Sequence, residues 1–165
     1  MKISSIVFLS LSIGFSTSSI TAQETVWFDV NLKKTLQYEG EYYRPTPKRI
    51  KHGYWIVDYY RSGQVRMEGF SKVRTLGEEE FEGLVIHYFE NGNTSQKSHY
   101  KNGKLHGLRK VYYESGELRE QGRYDQGERS GIWKTYYKNG KIIEKGKYRD
   151  NQKSGIWKTF HKNTR

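Results

Sequence analysis

The chain has 165 residues, no cysteine and a formal net charge of +11. The lack of cysteine excludes disulfide bonds, cysteine metal ligands and thiol nucleophiles. Aromatic residues make up 15% of the chain, so we expect aromatic rings, rather than a large aliphatic core, to supply most of the buried area.

The N-terminus is typical of an export signal. Lys2 precedes an apolar, serine-rich run that ends near Ala22, which is the order found in secretory signal peptides. We therefore predict a signal peptide over residues 1–22 and a mature protein that is periplasmic or extracellular. A membrane anchor is the alternative, but the many serines and the charge on only one side disfavour it.

Residues 23–52 lie between the predicted signal peptide and the repeated part of the chain. They contain Trp27 and Phe28, and later Pro45 and Pro47. We predict an N-terminal cap that covers the first edge strand, since an open edge invites pairing with other chains. The two prolines indicate a stiff connection within this segment.

The rest of the chain repeats itself with a period of 24 residues. The same glycine recurs at Gly83, Gly107, Gly131 and Gly155, and the residues around it recur in register. We divide residues 53–165 into repeats at 53–82, 83–106, 107–130 and 131–154, with a partial copy at 155–165. One such unit cannot bury its apolar face alone, so we expect the copies to stack.

The residue pattern of each repeat predicts two strands and two turns. A Lys-Asn-Gly or Glu-Ser-Gly turn closes each hairpin, because its glycine supplies the positive φ of a tight turn. A second set of turns joins the repeats, and there Asn151 replaces glycine as the next best left-handed residue. Helical periodicity is absent, so we predict an all-β fold: an open, elongated antiparallel array of β-hairpins.

The second strand of each repeat has two different faces. Gly122 and Tyr124 share one face, as do Gly146 and Tyr148 in the next copy. A small residue beside a large ring predicts that an aromatic side chain from a neighbouring strand covers the bare backbone. On the other face we expect a basic column, which consists of His99, Arg123 and Lys147.

The first copy is less regular than the others. Gly53 and Gly63 are ten positions apart, where later copies use nine, and this predicts a β-bulge. A longer tail, SKVRTLGEEEFE, carries Glu78, Glu79, Glu80 and Glu82. This insertion is either a loop with its own role or a solvated acidic loop.

The unit G-x-W-x-x-Y-Y-x-x-G, followed by a second G-x-Y, resembles the MORN repeat, in particular the bacterial variant of YwqK-type, antitoxin-like proteins. The resemblance extends over residues 53–160 and implies that the recurrent glycines and aromatics serve the fold. Val85, Ser98 and Arg109 depart from the pattern, which predicts locally looser units. The structural positions implied are Gly83, Gly92, Gly107, Tyr112, Gly116, Gly122, Tyr124, Gly131, Trp133, Tyr136, Gly140, Gly146, Tyr148, Gly155 and Trp157.

Positive charge is concentrated in the regular repeats. Residues 23–96 contain 10 Lys and Arg against 11 Asp and Glu, whereas residues 97–165 contain 18 against 7. This excess could attract an acidic polysaccharide or anionic lipid. Alternatively, the lysines only decorate solvent faces and protect the sheet from aggregation, while nucleic acid fits an exported protein poorly. The candidate anion-binding residues are Arg119, Arg123, Lys134, Lys145, Lys147 and Lys158.

No catalytic, metal-binding or cofactor pattern is present in the sequence. The five histidines form no metal-ligand spacing, and no serine lies in a nucleophile elbow. We therefore expect a non-catalytic module without a cofactor, and three functions stay open. The protein binds an envelope protein or a second copy of itself through its sheet face or its open edge at the last strand, or it binds an anionic polysaccharide or lipid, or it masks a toxin, as the resemblance implies.

Overall fold

A computed structural model describes residues 24–161, which form one open antiparallel sheet without any helix. The predicted signal peptide lies outside the described residues. The strands are β1 (Val26–Phe28), β2 (Lys34–Thr35), β3 (Tyr42–Arg44), β4 (Lys48–Ile50), β5 (Gly53–Tyr60), β6 (Val65–Ser71), β7 (Phe81–Tyr88), β8 (Thr94–Lys101), β9 (Lys104–Tyr112), β10 (Leu118–Asp125), β11 (Glu128–Tyr136), β12 (Ile142–Arg149) and β13 (Gln152–Thr159).

From β5 to β13 every strand pairs with the next one in the chain. This is the predicted hairpin array, and the predicted all-β fold is confirmed. The N-terminal cap lies at the β5 end of the sheet, where both β3 and β4 pair with β5. Pro45 and Pro47 separate β3 from β4, so the two prolines occupy the bend between the two strands that cover this edge.

The two sets of turns differ in backbone conformation. In the hairpin turns one residue is left-handed, as at Gly63 with φ 89°, and the N–H of Tyr60 donates to the C=O of Gln64 at 2.8 Å. In the turns between repeats both central residues are left-handed, as at Asp150 and Asn151 with φ 49° and 63°. The latter is the pattern of a type I′ turn, which matches the twist of the flanking strands.

The bulge predicted from an extra residue in the first copy is wrong. Ile56 pairs with Gly69 as Val85 pairs with Ser98, so Tyr54 occupies the position of Gly83. No residue is inserted, because Gly53 simply lies one position earlier. The register shift in this hairpin recurs at the same position of the next one and is therefore a property of the repeat.

Aromatic rings cover bare backbone on the buried face, as predicted. A Cβ atom on Gly122 would lie 2.1 Å from Cδ2 of Trp133, and one on Gly146 would lie 2.2 Å from Cδ2 of Trp157. Each ring therefore comes from the tryptophan of the following repeat. Tyr124 and Tyr148 stand edge-on to Trp133, with ring centroids 5.3 and 5.7 Å away, so tryptophan and tyrosine alternate along the sheet.

The acidic insertion is not a wholly solvated loop. Glu79 accepts a hydrogen bond from Nη1 of Arg44, whose Nε and Nη2 donate to Asp58. Burial opposes the charge on Arg44, but the hydrogen bonds to Asp58 and Glu79 outweigh burial and raise the pKa of Arg44. The insertion thus joins the N-terminal cap to β5 through a buried ion-pair cluster, whereas Glu78 and Glu80 are exposed.

Candidate anion-binding face

The sheet presents a second face opposite its buried tryptophans, and we call the part of it on β7 to β13 the basic face. Side chains alternate along a strand, so Ile132 and Lys134 point away from the side on which Trp133 is buried. Trp133 is 2% exposed and Ile132 is 66% exposed. The repeat therefore buries one face with aromatic rings and leaves the other to solvent.

Six side chains form a straight row across β8 to β13 on the basic face, and we call them the lysine row. They are paired in register from each strand to the next. With strands about 4.8 Å apart, the row is about 24 Å long. Its members are Lys97, Lys110, Gln121, Lys134, Lys145 and Lys158.

Lysine faces lysine directly at several points of the row. Lys145 pairs with Lys134 on one side and with Lys158 on the other. Like charges that are directly opposite on neighbouring strands are destabilising. Within residues 24–161 no ion pair joins a lysine of the row to a carboxylate. The row therefore opposes folding slightly, and its cations are available to an external anion.

A second line of exposed basic residues runs beside the row. His99, Arg123 and Lys147 occupy equivalent positions on β8, β10 and β12, since each pairs with the aliphatic residue that follows a repeat glycine. The structure thus places them in the column that the sequence pattern predicts. Together with the lysine row, this column widens the positive surface along the strands.

Two shallow depressions lie along the lysine row, one repeat apart. Their volumes are about 190 and 360 Å³. Most residues that line the second depression lie 24 positions after a residue that lines the first, and Leu108 lines both. The first is lined by Leu84, Lys97, His99, Leu108, Lys110 and Tyr112. The second is lined by Leu108, Gln121, Gly122, Arg123, Ile132 and Lys134.

Most of the anion-binding residues predicted from sequence lie together on this face. Lys134, Lys145 and Lys158 belong to the lysine row, and Arg123 and Lys147 belong to the neighbouring column. Arg119 is not part of either line. It is exposed near the start of β10, within the register shift between Leu118 and Glu120.

Lys97 and Lys110 belong to the row but were missed from sequence. The signal was present, because Lys110, Lys134 and Lys158 are separated by one period each. The same holds for Lys97, Gln121 and Lys145. Lys97 and Lys110 can be recognised as cross-strand partners only when the register between neighbouring repeats is known. The hairpin pattern alone does not give that register.

Tyr112 and Tyr136, which the resemblance assigns to the fold, lie on the basic face. Tyr112 lines the first depression, and the hydroxyl of Tyr136 accepts a hydrogen bond of 2.8 Å from Nε2 of Gln121. The equivalent residue of the last copy, Phe160, has its ring centroid 5.6 Å from Nζ of Lys145. An aromatic column thus borders the lysine row on the side away from the aliphatic residues.

Charged groups on the opposite face are engaged with one another. Arg109, which stands where later repeats have tryptophan, donates to Glu120 at 3.0 Å and to Gln96 at 2.6 Å. Burial lowers the pKa of His87 to about 4, and nearby Arg66 adds to this effect.

In the described part of the chain, no group of three His, Asp or Glu side chains could hold a metal ion. Nor does that part contain a helix able to cross a membrane.

Residues 81–102, 105–126 and 129–150 match the family model of the MORN repeat variant. Three repeats of the sheet are MORN repeat variants. Each match begins two residues before a repeat glycine, and together the matches contain the lysine row from Lys97 to Lys145. A search of curated proteins found no match. MORN repeats generally serve as protein-binding or membrane-binding modules, which fits a non-catalytic repeat module.

Proposed function

We propose that this protein is a non-catalytic binding module that holds an anionic partner against its basic face. The lysine row is the observation that supports this proposal. Five lysines lie in line across six neighbouring strands, interrupted once by Gln121, and no carboxylate forms an ion pair with them among the described residues. A bound anion relieves the repulsion between these groups, so binding and stability are coupled.

The distribution of charge favours the same surface. Residues 23–96 carry nearly balanced charge, whereas residues 97–165 carry 18 basic against 7 acidic residues. An uneven distribution of this kind produces a one-sided field that steers anions towards the repeats. The N-terminal cap and the first repeat are thus expected to contribute little to binding.

The first test is the salt dependence of binding to a soluble polyanion and to anionic vesicles. We expect the logarithm of the binding constant to fall steeply and linearly with the logarithm of salt concentration. The variant Arg123→Glu/Lys147→Glu should abolish binding. A control with the same change of charge is Lys33→Glu/Lys48→Glu in the N-terminal cap, which should bind like the parent. Binding that is insensitive to salt, or equal loss in both variants, would contradict the proposal.

Export is a further part of the proposal. A basic module reaches anionic polysaccharides outside the cytoplasmic membrane only if the chain is exported, and residues 1–22 have the features of a signal peptide. Mass spectrometry of the native protein should then find an N-terminus that follows Ala22. The antitoxin-like role implied by the resemblance to YwqK-type proteins stays a prediction, which a toxin gene beside this one would support.

Self-association through β13 is the second candidate function. Within residues 24–161, β13 pairs only with β12, and its Ile156 is 82% exposed. Trp157 is half-exposed, although the equivalent Trp133 is enclosed between two strands. An added antiparallel strand from a second copy would cover Trp157 in the same way.

A single proline tests this second candidate. The N–H of Phe160 donates to Ile143 on β12 at 2.7 Å, so the N–H of the preceding Thr159 points away from β12. Thr159→Pro therefore removes a donor from the open edge and leaves the existing ladder intact. Light scattering during gel filtration should show dimers for the parent and monomers for the variant. A monomeric parent would exclude self-association.

A further inference from the structure

We infer that the anionic partner is a linear acidic polysaccharide that lies across the strands, with one disaccharide against each repeat. This inference rests on the proposed function and adds the ligand class and its register. It starts from the two depressions, which are successive copies of one subsite rather than two unrelated hollows.

The spacing of the subsites fits a disaccharide. One repeat contributes two strands, so neighbouring subsites are about 9.6 Å apart. Each subsite offers two positions of the lysine row and one residue of the basic column, as with Lys97, Lys110 and His99. An extended disaccharide has nearly the same length as this spacing, so a polymer with one acidic group per disaccharide keeps in register along the sheet.

The spacing disfavours an acidic peptide in extended form. Side chains on one face of a β-strand are about 6.6 Å apart, since each residue advances about 3.3 Å. This distance matches neither the strand spacing nor the subsite spacing. An acidic peptide would therefore lose register within two or three residues, whereas a disaccharide polymer would not.

The relief of the basic face disfavours a flat membrane. The row lysines from Lys97 to Lys145 are half-buried, while Ile132 and Ile156 beside the row are 66% and 82% exposed. A planar surface would meet these aliphatic side chains before it met the lysines. A single polymer chain fits between the aliphatic side chains and the aromatic column of Tyr112, Tyr136 and Phe160, where the C–H faces of sugar rings find apolar contact.

The test uses size-defined hyaluronan oligosaccharides, which carry one carboxylate per disaccharide. Calorimetric titration of the purified protein at low salt should show about fivefold tighter binding for each added disaccharide, as subsites are engaged in turn. The gain should extend to six sugars, because equivalent positions of the row and column recur a third time between Ile132 and Ile156. Polyglutamate and phosphatidylglycerol vesicles of equal charge serve as the competing partner classes.

A pair of exposed aliphatic residues separates sugar contact from charge. Ile132→Ser/Ile156→Ser should weaken binding of the hexasaccharide about tenfold, an apolar loss of roughly one side chain, and leave polyglutamate binding unchanged. The matched control is Val30→Ser/Leu36→Ser in the N-terminal cap, where the side chains are 66% and 59% exposed. The control should bind the hexasaccharide like the parent.

The outcomes separate this inference from the proposed function. Stepwise affinity that depends on the two isoleucines supports the inference. Binding of vesicles or polyglutamate, with no increase of affinity along the oligosaccharide series, overturns the inference but keeps the proposed function. If none of the three probes binds at low salt, the proposed function fails as well.

Discussion

The two ends of the sheet use their charged residues in different ways. Near the N-terminal cap, Arg44, Asp58 and Glu79 are paired with one another in a buried cluster. In the regular repeats, cations are instead lined up and left unpaired on the basic face. The line of cross-strand partners continues from Lys97 towards the cap as Ile86 and Glu68. The corresponding positions therefore carry no lysine in the part of the sheet that packs near the cap.

The buried face shows a parallel contrast. At the N-terminal end the core consists of Ile56, Met67 and Val85, whereas further along Trp133 covers a glycine. Aliphatic packing at one end joins a cap to the sheet, and aromatic packing at the other end propagates from one repeat to the next. The N-terminal part of the molecule therefore covers the edge of the sheet, whereas the regular repeats present the same surface again in each copy.

Breaking the ion-pair cluster should give the largest effect. Arg44→Ala removes the ion-pair partner of Glu79 and leaves Asp58 with only the longer contact to Arg66 at 3.9 Å, which should cost about 3–5 kcal/mol of the free energy of unfolding. Urea denaturation measures this loss. Lys145→Ala on the basic face is the control and should change stability by no more than about 1 kcal/mol. Similar losses for both variants would show that the two ends do not differ.

Crowding the aromatic packing should have the next largest effect. Gly122→Val places a side chain where the Trp133 ring lies and should cost on the order of 2 kcal/mol or more. Gly131→Ala is the comparison, since a Cβ atom there meets nothing within 4 Å but φ is +68°. That change should cost about 1 kcal/mol from backbone strain alone. A melting temperature of Gly122→Val equal to that of the parent would contradict the role of the ring.

Acid should weaken the N-terminal end through His87. Burial lowers the pKa of His87 to about 4 from 6.5, so the unfolded chain binds a proton more readily. The neutral form therefore contributes stability that is lost as the pH falls from about 7 towards 4, by about 1–2 kcal/mol at pH 5. His87→Thr, which introduces the residue of Thr135 at the equivalent position, should flatten this pH dependence. An unchanged dependence in urea titrations would exclude His87 as its source.

The repeat pattern predicted the fold well because the period, the turn glycines and the strand alternation are local signals. It predicted that a ring covers Gly122, and the structure identifies that ring as Trp133. The cluster around Arg44 could not be predicted, since its members come from the cap, β5 and the insertion and share no spacing. The position of Tyr54 in the first repeat is also not evident from the sequence, because Gly53 suggests an alignment that only the strand register corrects.

The sequence predicted only part of the candidate site, again because local repeat signals are visible in the sequence and contacts between strands are not. Arg123 and Lys147 follow directly from the period within one strand type. The lysine row combines two strand types, so its continuity from Lys97 to Lys110 depends on register between repeats. Register between strands is set by the bulges and type I′ turns together, and a single sequence gives no independent measure of it.

The smallest effects should occur within the lysine row, and there stability and binding should change in opposite directions. Lys145→Gln removes two direct lysine–lysine pairs and should raise the free energy of unfolding by about 0.2–1 kcal/mol. It should also weaken binding of a polyanion and reduce the salt dependence by about one counterion. Denaturation and titration of the same sample measure both quantities.

The reverse substitution completes the comparison. Gln121→Lys fills the one neutral position of the row and adds direct contacts with Lys110 and Lys134. It should lower stability by about 0.2–1 kcal/mol and strengthen binding severalfold. A row that only kept the sheet soluble would show the stability changes without the changes in binding. If stability and binding affinity change in opposite directions in both variants, the lysine row lowers folding stability while it provides an anion-binding surface.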